Sequence, residues 1–136
     1  MRRRTYIALA SIFLVSALSI HAQQHRLYNQ IMKDVGATFP NLKKNLDANN
    51  LAAAAEDAAK LEGFFTETEA FWTPLKARDA VSFSKRAREA AAAIGSAAKA
   101  SDVKAAQASY AIVQRACANC HSSHREETGA GFTIKP

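Results

Sequence analysis

The sequence predicts an all-α protein, an antiparallel four-helix bundle. Three observations carry that expectation. Apolar residues recur at spacings of three and four along most of the chain, and no segment shows the period of two expected of a half-buried strand. Alanine is abundant and glycine scarce, with 5 glycines in 136 residues, which favours helix over tight turns. Four amphipathic segments follow one another through short connections, an order in which sequential helices run antiparallel.

Before the bundle stands a leader. Arg2, Arg3 and Arg4 precede an apolar run over residues 7–20, and His21-Ala22-Gln23 offers a small residue for cleavage. This predicts a signal peptide over residues 1–22, a mature domain over residues 23–136 and export to the periplasm. An uncleaved membrane anchor competes, but the run is short for a span and is dotted with Ser11, Ser16 and Ser19. No membrane span is expected once the leader is removed. No cysteine follows the run, so a lipid anchor is not expected. Cleavage removes the three arginines and lowers the formal charge of +6 by as much. No basic cluster with interleaved aromatics remains, which argues against a nucleic-acid partner.

The first helix is expected over residues 24–38. Tyr28, Met32 and Val35 share a face, with Leu27 and Ile31 beside it. Phe39, Leu42 and Leu46 continue the stripe, but Pro40 lacks an amide hydrogen and predicts a kink or a restart. The second helix starts at Asn50, a plausible N-cap, and turns Leu51, Ala55, Ala58, Leu61 and Phe65 inward. Residues 67–78, with Phe71, Trp72 and Pro74, read as a connection. The third helix follows Asp79, a second capping candidate, and carries Phe83, Ala87, Ala90, Ile94 and Ala97; Gly95 weakens it locally. The fourth begins after Ser101. Its seam of Val103, Ala106, Tyr110, Val113, Cys117, Cys120 and His124 alternates strictly by three and four. The tail over residues 128–136 is expected to be loose. So many inward alanines bury little apolar surface, about 1–2 kcal/mol less than leucine at each position, so something else should fill the interior.

The segment RACANCHSSHR, residues 115–125, holds both cysteines of the chain and two of its four histidines. Cys-x-x-Cys-His is the attachment sequence for c-type haem. Residues three apart on a helix share a face, so Cys117 and Cys120 can each add a thiol across one haem vinyl group. His121 lies near that face and can place an imidazole nitrogen on the iron. By composition alone the pattern arises on the order of once in a couple of thousand sequences. Three alternatives compete. A thiol–disulfide motif normally opens a helix after a strand, and here no strand is near. Zinc would need Cys117, Cys120 and His124, which one helix cannot arrange tetrahedrally. A disulfide between positions three apart on a helix has poor geometry.

With these residues in place, the chain resembles the class II c-type cytochromes, the cytochrome c prime family. The resemblance spans about residues 24–125. It rests on IMKDVGATF (31–39), Phe71-Trp72, Phe83 and CANCHSSHR (117–125). It implies one covalently bound haem c near the C-terminal helix, with Cys117 and Cys120 as attachment points and His121 as proximal ligand. Arg125 matches a basic residue common near the proximal side; an exposed arginine favoured by the helix dipole is the bland reading. Met32 aligns with the methionine that binds the iron in the low-spin branch of the family, although methionine also serves as ordinary core filling. His25, two turns earlier, is a weaker candidate. The function implied is single-electron transfer without catalysis, with redox proteins as unknown partners. A high-spin binder of nitric oxide or carbon monoxide is the alternative. Family members often pair through their first two helices, so the resemblance also allows a homodimer.

Overall fold

The computed structural model describes residues 27–129 and 131–135. The expected signal peptide, the expected start of the first helix at residue 24 and His25 lie outside the described residues. Four helices follow in order: α1 (Tyr28–Asp47), α2 (Leu51–Trp72), α3 (Arg78–Lys99) and α4 (Val103–His124). They pack side by side, α1 on α2, α2 on α3 and α3 on α4, while α1 meets α4 only sparsely. A hairpin of β1 (Arg125–Thr128) and β2 (Gly131–Ile134) ends the chain, with Arg125 opposite Ile134. The four-helix expectation holds, and the hairpin is an addition to it.

Short connections fix the antiparallel order. Asn49 and Ser101 adopt left-handed backbone angles, with φ of 54° and 59°. Each is the residue at which a helix unwinds through a paired cap. After α1, the Asn50 amide donates to the Asn45 carbonyl and the Asn49 amide to Leu46. After α3, Asp102 donates to Ala97 and Ser101 to Ala98 in the same pattern. These bonds satisfy carbonyls that a helix end otherwise leaves open.

The structure corrects several boundaries. Pro40 does not restart the chain; α1 runs through it as one helix. The carbonyl that loses its partner belongs to Gly36, and Gly36 and Pro40 both lie on the exposed side, within reach of water. Residues 67–72 are helical, because Phe65, Thr68 and Trp72 extend the buried stripe of α2 at spacings of three and four. Only residues 73–77 connect α2 to α3. Asn50 occupies the N-cap position of α2, but its side chain makes no capping bond. Asp79 is not a cap either, since Ala77 holds that position; its carboxylate is engaged elsewhere. Asp102 does cap α4, accepting from the Ala105 amide at 2.9 Å. Phe83 and Ala97 are only partly buried; Ala80, Ser84, Ala87, Ala91 and Ile94 lie deeper on α3. Within the tail, residues 131–134 form β2, which pairs with β1.

Half of the buried apolar residues among those described are alanines, set around Leu42, Leu46, Leu61, Ile94 and Val113. Small side chains let α2, α3 and α4 approach closely, and Gly95 faces the Cβ of Ala58. One polar cluster joins α1 to α2. Asp57, 4% exposed, accepts from the Nδ2 atoms of Asn41 and Asn45 at 2.7 and 2.8 Å. Lys60 adds a longer contact of 3.3 Å from the solvent side. Replacing Asp57 removes the acceptor and strands both amides. Asp57→Ala is expected to cost about 1–3 kcal/mol in chemical denaturation, and Asn41→Ala less, because Asn45 still satisfies the carboxylate.

Candidate functional site

A cavity of about 790 Å³ opens at the end of the bundle where α1 begins and α4 ends. That volume lies within the range of about 300–1,000 Å³ typical of small-molecule and cofactor sites. Each element supplies a wall. Met32, Gly36 and Phe39 come from α1, Phe65 and Trp72 from α2, and Phe83 and Ala87 from α3. Cys117, Cys120 and His121 come from α4, and Phe132 and Ile134 from the hairpin. The lining is mostly apolar, and its charged side chains, Lys33 and Arg125, are cationic. Phe39 of α1, which lines the cavity, stacks on Tyr110 of α4, with centroids 4.2 Å apart and planes at 2°.

The structure thus brings together the predicted site residues Met32, Cys117, Cys120, His121 and Arg125. Both cysteines are free and partly buried. Burial pushes the Cys117 thiol up to about 11, with the nearby Cys120 adding to the shift. Burial likewise raises Cys120 to about 11, with Asp79 as the further contributor. Both therefore rest as neutral thiols. The His121 residue is exposed at the cavity edge, but partial desolvation of its ring lowers its pKa, and the charge of Arg125 lowers it further. The neutral imidazole, with a lone pair on one nitrogen, is the form a metal ligand needs. Met32 is half-buried on the α1 wall. Arg125 ends α4 with extended backbone angles and lays its guanidinium 3.2 Å from the centroid of Phe132.

The alternatives to haem fare differently. The two cysteines are not joined as a disulfide. Among the described residues no group of three or more His, Cys, Asp or Glu side chains could hold a bare metal ion. His124 in particular is committed elsewhere. Its Nδ1 donates to the Lys135 carbonyl at 2.8 Å and its Nε2 to Asp79 Oδ2 at 3.0 Å. The bond from His124 holds the Asp79 carboxyl below the usual carboxylate range.

Sequence reasoning missed three parts of this site. Trp72, in the segment expected as a connection, is 1% exposed and donates from Nε1 to the Tyr28 hydroxyl at 3.0 Å. Tyr28 also stacks on Phe71 at 4.2 Å, and burial pushes its hydroxyl up to about 12 despite the opposing bond from Trp72. The pairing of His124 with Asp79 joins residues 45 positions apart, beyond any local signal. The hairpin wall was the third. Its one legible cue is the alternation of Phe132 and Ile134, which is too short to be read as a strand alone.

No protein-family model matches this chain, and no curated protein matches it either. The functional reading therefore rests on the motif and the cavity.

Proposed function

We propose that this chain is an exported c-type haem protein that carries single electrons, built in the manner of the class II cytochromes. The observation that carries the reading is the convergence of Cys117, Cys120, His121 and Met32 on one apolar cavity of cofactor size. The donor set suits haem. Two free thiols three residues apart on α4 would form the thioether links, and the adjacent neutral imidazole of His121 would ligate the iron. Met32, on the α1 wall, would supply a thioether sulfur as a second ligand. When bound, the haem supplies a one-electron couple.

The chain's own residues would do the rest. Phe39, Phe65, Phe83 and Trp72 give the cavity apolar walls and would limit water around a bound cofactor. Arg125 sets a positive charge at the rim, suited to a cofactor carboxylate, and favours the neutral form of His121. The role is that of a carrier rather than an enzyme, in the periplasm after loss of residues 1–22. Its partners would be redox proteins, with a homodimer as a further association. Among the described residues no helix is long and apolar enough to cross a membrane.

Replacing both Cys117 and Cys120 by alanine is expected to abolish covalent haem, because the chain has no other thiol. A haem stain of periplasm-matured protein on a denaturing gel checks this, and retained stain in the double variant would overturn attachment.

Met32 separates the carrier from a gas-binding protein. If its sulfur ligates the iron, the wild type is low-spin and binds carbon monoxide slowly. Met32→Ala then turns it high-spin, speeds carbon monoxide binding and lowers the redox potential. If Met32 only packs, the wild type is already high-spin and reactive. The variant then mainly loses stability, by less than the 2–5 kcal/mol typical of a fully buried methionine, since Met32 is half-exposed. A high-spin wild type at neutral pH would shift the reading to a binder of nitric oxide or carbon monoxide.

A further inference from the structure

At the root of the C-terminal hairpin one side chain, that of His124, bonds both to the hairpin and to the bundle. His124 is the last residue of α4 and is 9% exposed. Its Nδ1 reaches forward to the carbonyl of Lys135, just past β2. Its Nε2 reaches across to Asp79 in the first turn of α3. The Lys135 amide returns a bond to the His124 carbonyl at 2.9 Å. The ring also lies against Trp72 of α2, with centroids 4.8 Å apart. One imidazole therefore ties α2, α3, α4 and the end of β2 together.

What this holds in place is a wall of the cavity. Phe132, Thr133 and Ile134 of β2 line it beside Cys120 and His121. The hairpin has little else to fix it. β1 is exposed throughout, Phe132 is 62% exposed, and Thr128 bonds only across the turn, to the Gly131 carbonyl. A two-stranded hairpin is marginal on its own in water, so its position depends on what anchors it.

We propose that His124 is a positioning residue that latches the hairpin as a strap over the cavity and thereby sets access to Cys117, Cys120 and His121. This rests on the cavity being the functional site, as proposed above, but not on what fills it. The latch acts through directed hydrogen bonds, so the shape of the ring alone should not replace it.

His124→Phe separates the two contributions. Phenylalanine keeps a ring against Trp72 and loses both donors. In the full chain produced without cofactor attachment, Cys117 and Cys120 report access directly. Their alkylation by N-ethylmaleimide, followed by peptide mass spectrometry, is expected to be about tenfold or more faster in His124→Phe, the scale of one lost charge-assisted hydrogen bond. Cleavage after Glu126 and Glu127 by a glutamate-specific protease should rise in parallel, while cleavage after Glu89 within α3 stays slow. Unchanged alkylation and unchanged hairpin cleavage would overturn the proposal. Should His124→Phe fail to fold, Asp79→Ala decides, since it removes an exposed partner and disturbs no core contact. Faster alkylation and hairpin cleavage in that variant support the latch, and wild-type rates for both reject it. Neither readout requires haem, so failure here is distinct from a failed haem stain.

Discussion

One unbroken helix from Val103 to His124 sets the geometry at the end of the bundle. Because α4 stays helical through the cysteine pair, Cys117 and Cys120 sit a turn apart on one face, with His121 beside them. The same regularity carries His124 a further turn, to the edge of the cavity and onto Asp79. The helix ends only where Arg125 turns extended, and the Lys135 amide satisfies the His124 carbonyl. If α4 frayed after Cys117, the thiols would lose their common face and the hairpin its anchor. Capping by the returning hairpin thus supports both the site and the wall that covers it.

The interior divides into two regimes. Toward the end where α1 joins α2, alanines let the helices come close around Leu42, Leu46, Leu61 and Ile94. Toward the other end, larger aromatic side chains line a cavity rather than fill it. Alanine forgoes burial, so this bundle gains less from its core than a leucine-rich one of equal length. A cofactor bound only by the folded chain would offset part of that deficit by mass action, and a covalent one would also occupy the space that Phe39, Phe83 and Trp72 surround.

Much of this was legible in residue spacing. The strict alternation from Val103 to His124 gave α4 within a residue, and the pattern of Leu51, Ala58, Leu61 and Phe65 gave the start of α2. What was misread came from local rules overridden by packing. Pro40 was expected to break α1, but the buried stripe on both sides of it holds one helix together, and the freed carbonyl of Gly36 is on the exposed side. Trp72 looked like part of a connection because Pro74 follows so soon, although its burial against Tyr28 extends α2 by a full turn. The hairpin left only the short alternation of Phe132 and Ile134 to read. Its strands are four residues each, and its attachment runs through contacts between His124, Lys135 and Asp79 that no periodicity encodes. For the candidate site, the Cys117–Cys120–His121 triplet stood out from the motif and Met32 only from the family resemblance, and the fold brings all four to one cavity. The Tyr28–Trp72 pair and the hairpin wall emerge only once the chain is folded.

The intact mass of the protein recovered from the periplasm of a haem-maturing host, measured under denaturing conditions, bears most directly on the central claim. The expected mass is that of residues 23–136 plus one haem, retained in acid and organic solvent because thioether bonds survive unfolding. A mass equal to the chain alone, with Cys117 and Cys120 both open to alkylation or joined to each other, would contradict it.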